Sequence, residues 1–518
     1  MTAPGGSERA KMDVVRQGAV LPMVAIDPAP TDVQADIAVT VRNGLRLGAS
    51  LLITWSVAMI VKLQVPAHLG PVRQGYFSAA ESLAGVFFIL IGLGIDTHIM
   101  REVSVRPRHA SEIVGGIFVL RGLMSAALLI VMTAVLQTSR RPSELVVTAA
   151  VFGIANLIIA NNTTLASVLQ ATSFAGPVAA ANVAGKLAWA AGVLLALHYD
   201  APLPLLALAL PGGDLLKTAV LVPFARSRLQ LQFRIDVPAL RRALRASTPF
   251  FVNAMALGLL SNLGMSILAF IRTDPREVGW FAAVQNLVAL CSLLMPLMGW
   301  VIMPLLSRAY ARSEAEGLGM LRRGLEGLII LVAPLTVAVS ASSDTLVRVA
   351  FGPAFAPAAP GLSILSLVFL MTYLDVMLAM ALSIVGRGWS VTLVSIGSVF
   401  VNAALMLLCV PIGRGLIGTG GECAGAAASV VATEVFVLVA MLSRFRESPL
   451  DGRVIRALVK SVATAVVVLL VDRALRGLGP TRLVADAALY GAMTLALRTV
   501  RLAELRQAWR SLRMTGAG

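Results

Sequence analysis

The chain has 518 residues, of which 58% are hydrophobic and only 14% charged, and its mean hydropathy is +0.84. A soluble fold would lack the polar material for its surface, so composition places the protein in a bilayer. The formal charge of +16, from 43 Lys and Arg against 27 Asp and Glu, does not mark a nucleic-acid binder, because the basic residues lie between apolar runs and form no continuous stripe.

In chain order, residues 1–42 come first, rich in Pro, Gly, Ala and polar groups, with neither a sustained apolar core nor a small-residue cleavage site. They read as a disordered cytoplasmic tail and not a signal peptide. Apolar runs then follow at about 44–63, 76–95, 113–136, 145–168, 175–197 and 203–224. After the basic stretch Arg226 to Arg245 they resume at about 249–271, 279–304, 325–344, 361–385, 390–410 and 422–442, with two more at 457–472 and 483–497. The pattern predicts an all-α polytopic membrane protein of about 14 transmembrane helices. Its expected organisation is an N-terminal six-helix lobe over 43–225, a basic cytoplasmic linker over 226–247, and a C-terminal six-helix lobe over 248–443. Residues 444–518 supply two extra helices and a basic cytoplasmic tail. Pro211-Gly212-Gly213 predicts a break in the sixth helix.

Lys and Arg outside these spans give the orientation. With the N terminus cytoplasmic, 27 fall on the cytoplasmic side and 10 on the other. Both termini are therefore expected inside.

Two stretches 204 positions apart, Gly75-Tyr76-Phe77-Ser78-Ala79-Ala80-Glu81-Ser82-Leu83 and Gly279-Trp280-Phe281-Ala282-Ala283-Val284-Gln285-Asn286-Leu287, each open an apolar run. Glycine, aromatic, Phe and small residues recur in register, then Glu81 or Gln285, then Ser82 or Asn286, then Leu. One hydrophobic module has been used twice, which is a common way to build a transporter that rocks about a midplane site.

Further pieces support a family resemblance. They are His68-Leu69-Gly70-Pro71 before the first repeat, Leu93-Gly94-Ile95-Asp96 leading to Arg101-Glu102, and Phe351-Gly352-Pro353-Ala354-Phe355 with Ala358-Ala359-Pro360. Gly386-Arg387-Gly388, Val401-Asn402, Val410-Pro411 and Gly425-Ala426-Ala427-Ala428-Ser429 follow. In this order they resemble the Wzx-type polysaccharide flippases of the multidrug/oligosaccharidyl-lipid/polysaccharide exporter superfamily. The long N-terminal tail and the Gly-rich insertion at Gly415 to Gly421 depart from that pattern. The resemblance implies translocation of undecaprenyl-diphosphate-linked oligosaccharide across a bacterial inner membrane for exopolysaccharide, capsule or O-antigen synthesis, by alternating access coupled to an ion gradient. A lipid II flippase of peptidoglycan synthesis and a multidrug cation antiporter are the alternatives within the superfamily. A membrane polymerase is the enzymatic one, and would show a large external loop. The implied partners are the lipid-linked substrate, anionic membrane lipids, and polymerase and chain-length proteins.

Charges at bilayer depth are the candidates for function, since each is costly unless it faces a cavity, pairs or snorkels. Arg46, Arg121, Lys186 and Lys217 are expected as cavity cations for a lipid diphosphate, with Arg46 also placed to snorkel to the interface. Asp214 and Lys217 share a helix face, which reads either as a self-neutralising pair or as a cavity-lining break. Glu81, Asp214, Asp375 and Glu434 are candidates for ion coupling, and Asn253, Asn262, Gln285 and Asn286 for cavity polar groups. No Gly-Lys-Ser/Thr phosphate loop occurs, the four histidines are scattered, and Cys291, Cys409 and Cys423 have no metal spacing. Neither enzymatic activity, a metal nor a cofactor is expected.

Overall fold

The computed structural model describes residues 33–105, 110–172, 174–229, 235–271, 274–291 and 298–497, with every secondary-structure element among them helical. Residues 46–518 form one compact unit, and residues 1–45 a separate one. The expected tail over 1–42 therefore lies mostly outside the described residues.

Helix α1 is Val33–Phe88, interrupted at Gly70, whose φ of 69° and ψ of 169° are not helical. Pro71 causes this: it disfavours helical geometry in the preceding residue and offers no N–H, and glycine tolerates positive φ without a side-chain clash. Beyond the turn, Tyr76 and Phe77 pack against the same buried apolar cluster that holds Val61, Val65 and Leu69 from before it. The first apolar run thus continues past residue 63, its expected end. A short 3-10 turn, Ile89–Gly92, leads through positive-φ Leu93 and Gly94 to α2, Ile95–Val105. Helices α3 (Ala110–Thr138), α4 (Ser143–Ala171), α5 (Ala175–His198) and α6 (Leu203–Leu229) complete the first half.

The break expected at Pro211-Gly212-Gly213 does not occur, and α6 runs through it. Glycine serves contact here instead. A Cβ on Gly213 would lie 2.5 Å from the Gly185 carbonyl oxygen, and one on Gly185 would lie 2.8 Å from the Gly213 carbonyl oxygen, so α5 and α6 touch through their backbones.

The second half opens with α7, Val237–Phe270, whose first turn is capped by Asp236 accepting from the Ala239 N–H at 3.0 Å. Part of the expected linker 226–247 is therefore helical. Next come α8 (Pro275–Cys291), a π turn at Met298–Ile302, α9 (Met303–Arg312), α10 (Glu314–Ala341) and α11 (Ser343–Phe351). After these follow α12 (Ala359–Leu365), α13 (Leu367–Ile384), α14 (Gly388–Ile417) and α15 (Gly421–Leu442). Helices α16 (Gly452–Ala474) and α17 (Arg482–Ala496) end the described chain. Buried Arg482 ties them back, donating to Asp344 at 2.6 Å beside α10 and forming an ion pair with Asp472 at 2.7 Å.

Eleven helical segments among the described residues are long and apolar enough to cross a membrane, and one of them, Gly48–Ser104, contains the Gly70 turn. The expected fourteen differ from this count because that segment merges two runs, the run expected at 279–304 lies partly outside the described residues, and α17 has only 15 residues. Leu123, Ile130, Leu331 and Phe400 project outward and exposed, which suits a lipid solvent. One buried cluster joins the halves, bringing Ala79, Ala80 and Leu83 against Val278, Trp280 and Phe281, with Phe351, Phe355 and Leu362 behind.

Candidate substrate chamber and its seal

The repeated stretches meet each other. A Cβ on Gly75 would lie 1.9 Å from the Pro275 carbonyl oxygen, and a Cβ on Gly279 would lie 1.9 Å from that of Pro71. Each proline stands four residues before its own repeat's glycine, so the contact is reciprocal and has the form of a pseudo-twofold crossing. Only the absence of side chains lets these backbones approach so closely. The crossing is braced from the second half. Trp280 Nε1 donates to the Ala354 carbonyl at 3.0 Å, while the buried Glu277 carboxylate accepts from Gly420 N–H at 2.6 Å and Cys423 N–H at 2.9 Å, capping α15. A Cβ on Gly420 would sit 2.1 Å from the Pro357 carbonyl oxygen, so the short turn between α14 and α15, within the Gly415 to Gly421 stretch, is clamped. Arg141, between α3 and α4, reaches over to donate to the Phe270 carbonyl at 3.2 Å, with its guanidinium carbon 5.4 Å from that ring's centroid.

Next to this crossing lies a cavity of about 850 Å³ between the halves. From the first half come Lys62, Glu81 and Lys186, with Gln74, Ser78, Ser82 and Asn156. Phe77, Phe152 and Trp189 supply its aromatic surface. From the second half come Ser261, Asn262, Gln285 and Asn286. Lys186 stands midway along α5, its ammonium 3.6 Å from the centre of the Trp189 ring. That contact replaces part of the hydration the group loses at this depth. It also lies within electrostatic reach of Lys62, Glu81 and Asp214. The chamber thus opposes two ammonium groups to one carboxylate.

Of the residues the sequence singled out, Lys186, Glu81, Asn262, Gln285 and Asn286 converge on this chamber. Lys62 joins them although no sequence feature drew attention to it. Its signal was Gly70-Pro71: once the turn is placed there, Lys62 lies two turns inside the helix rather than at its end.

Arg121 is not on the chamber wall. It is fully buried, and its guanidinium donates to the carbonyls of Ile91 (2.8 Å), Gly92 (3.1 Å) and Ala160 (2.7 Å) and to Thr164 Oγ1 (2.7 Å), with Asp96 3.6 Å away. Those first two carbonyls are orphaned where α1 ends, so Arg121 acts as an internal helix cap that corrects the expected phosphate role. Asp214 and Lys217 also stay off the chamber. Buried Asn162 fixes Asp214, donating to its carbonyl at 2.8 Å and its carboxylate at 3.3 Å, and Lys217 lies within electrostatic reach on the same helix. Asp375 on α13 and Glu434 on α15 bring their carboxyl groups together inside the second half, away from the chamber, and neither Asp375 oxygen has a well-formed hydrogen bond. Asn253 is half-buried outside the chamber lining. The side chain of Arg46 lies outside the described residues.

Two halves built from one repeat, sealed together at one end over a polar chamber in a multi-pass helical bundle, define a membrane transporter. Residues 40–310, more than half of the chain, match the polysaccharide biosynthesis protein family, and the chain belongs to it. The structure is similar to lipid II flippase MurJ in its inward closed conformation, with a TM-score of 0.67 and 11% identity, covering 89% of this chain and 99% of that one. It is also similar to the inward-facing form of a multidrug resistance MATE family transporter of the MOP superfamily, with a TM-score of 0.58 and 13% identity over 74% of this chain and 98% of that one. At these identities the likeness is one of fold. Comparison with curated protein sequences yields no match. Family and fold together make the chain a membrane flippase or transporter of polysaccharide biosynthesis.

Proposed function

We propose that the chain flips an undecaprenyl-diphosphate-linked oligosaccharide across a bacterial inner membrane during exopolysaccharide, capsule or O-antigen synthesis. The observation that carries this reading is the chamber's charge: Lys62 and Lys186 against Glu81, in a cavity enclosed by membrane-crossing helices, between halves able to rock. An ammonium held in a partly desolvated site attracts a diphosphate strongly, and the lipid tail can remain in the bilayer while the head enters. With both termini cytoplasmic, as the Lys and Arg bias favours, the Gly75–Gly279 crossing is the external seal and loading occurs from the cytoplasm. The Asp375–Glu434 pair serves as the exchangeable site for a coupling proton or sodium ion. Polymerase and chain-length proteins then receive the flipped product, and the basic loops hold the protein against anionic lipids.

The likeness to a lipid II flippase supports a second reading, in which the carried glycan is a peptidoglycan precursor; the family match favours the first. Export of a cationic drug fits poorly with two lysines in the chamber. Deletion of the gene followed by analysis of lipid-linked intermediates tests these readings. Cytoplasmic accumulation of undecaprenyl-diphosphate glycan is expected. Unchanged glycolipids together with new sensitivity to cationic dyes would overturn it.

A further inference from the structure

The duplication allows the two chamber walls to be compared position by position. Glu81 and Ser82 of the first repeat correspond to Gln285 and Asn286 of the second, and all four face the chamber. At the first of these positions the halves differ by a charge. The difference extends along the wall: among the described residues every charged lining residue, Lys62, Glu81 and Lys186, belongs to the first half, while the second half contributes the polar groups Ser261, Asn262, Gln285 and Asn286.

Chemistry separates what each wall can hold. A diphosphate calls for cations. A neutral amide offers both donors and an acceptor, which matches a sugar hydroxyl in either of its roles. Gln285 is half-buried and makes no hydrogen bond among the described residues, so its amide is free for a ligand. Asn286 reaches only the Lys62 carbonyl, at 3.5 Å, the outer limit for such a bond. Asn262 is engaged differently. Its amide donates to the Gly258 carbonyl at 3.0 Å, and its side-chain oxygen would lie 2.6 Å from a Cβ on Gly85, so it positions the two walls.

We infer that recognition in the chamber is divided between the halves: the first-half wall holds the diphosphate common to all lipid-linked substrates, and Gln285 and Asn286 on the second-half wall read the glycan. Gln285 and Asn286 are then specificity-determining residues. This division rests on the lipid-diphosphate reading proposed above. It follows that exchanging the glycan demands changes in the second half, whereas changes at Lys62 or Lys186 alter all substrates alike.

Binding to the full chain in lipid nanodiscs tests this with three probes: undecaprenyl diphosphate without sugar, the same lipid bearing one hexose, and the same lipid bearing a short oligosaccharide. Gln285→Leu should bind the sugar-free lipid as the wild type does, which also reports that it is folded, and bind a glycan-bearing lipid about five- to tenfold more weakly. Gln285→Glu should weaken all three, because it sets a second carboxylate before the diphosphate. If neither Gln285→Leu nor Asn286→Leu changes the ratio of glycan-bearing to sugar-free binding, the division is wrong. The double variant Lys62→Gln with Lys186→Gln should weaken all three probes. Unchanged sugar-free binding there overturns the lipid-diphosphate reading itself, and the Gln285 ratio still answers separately for the glycan.

Discussion

Replacing Gly75 by alanine places a methyl group where the second repeat's backbone already stands. The new Cβ would lie 1.9 Å from the Pro275 carbonyl oxygen, and carbon and oxygen approach no closer than about 3.0 Å, so the repeats must part locally by about 1 Å. The obstructing atom is backbone, three residues before buried Val278, and has no rotamer by which to give way. Overpacking of this kind costs about 1–3 kcal/mol. Because the strain exists only where the crossing is closed, that cost moves the conformational equilibrium by roughly 5- to 150-fold toward forms in which the repeats are separated. Spin labels at Val72 and Asp274, which flank the crossing and are exposed, report this by pulsed dipolar spectroscopy. A longer-distance population should grow in Gly75→Ala and equally in Gly279→Ala, and the double variant should add less than the sum, because one parting of the repeats relieves both clashes. Gly122→Ala is the control, since no atom lies within 4 Å of its Cβ. Distance distributions for Gly75→Ala that overlay the wild type would refute the assignment of this crossing as a seal.

Arg121→Gln leaves three carbonyls short of donors and Asp96 without its cation, so a loss of about 3–5 kcal/mol is expected. It should show as a lowered melting temperature in detergent and less folded protein in the membrane, with no selective change in substrate preference. Asp375→Asn and Glu434→Gln should each weaken the dependence of flipping on an imposed ion gradient while leaving chamber binding unchanged, as measured in proteoliposomes; full gradient dependence in both would remove the pair from coupling. Asp451 caps α16 by accepting from Arg453 N–H at 3.0 Å and Val454 N–H at 2.9 Å, bonds that hold its carboxyl below the usual carboxylate range, the Val454 bond foremost. A depressed value in the fold means that its contribution is present above the unfolded value near 3.8 and fades as pH falls below it. Asp451→Ala should cost about 1 kcal/mol, read as faster amide exchange in the first turn of α16 at neutral pH and a difference that shrinks as pH is lowered below about 3.8.

The helices, their duplication and the polar chamber residues were legible in the sequence because each leaves a local mark: a long apolar run, a motif repeated 204 positions on, a lone polar group inside a span. The mark for Arg121 was the same as for Lys186, yet the structure separates them. What distinguishes the two is tertiary. Arg121 sits opposite the orphaned carbonyls where α1 ends, and Lys186 sits opposite empty space and Trp189. No periodicity records which face of a helix finds such a partner. Pro211-Gly212-Gly213 misled for a related reason: Gly213 meets Gly185 across α5, a packing need that looks like a helix break when only the chain's own neighbours are visible. Asn162 carries no such mark, although its burial against Asp214 is what makes that carboxylate tolerable.

The seal and the chamber are parts of the same short helical segments. Glu81 follows Gly75 by six residues and Gln285 follows Gly279 by six, about 9 Å along a helix. A helix over that distance moves as a rigid body, so the crossing cannot part without displacing both chamber walls at their matched positions. Linkage then requires the reverse: a ligand that pulls the two walls toward itself must change the population of the closed crossing by the same free energy. Under the proposed division of the chamber, undecaprenyl diphosphate bearing a glycan would touch both walls, whereas the sugar-free lipid would engage the first alone. The glycan-bearing lipid is therefore expected to shift the Val72–Asp274 distance distribution, and the sugar-free lipid to shift it less at equal occupancy. Equal shifts from both ligands, or none from either, would mean that the chamber and the crossing are energetically independent, and that the repeat packs the halves together without transmitting occupancy between them.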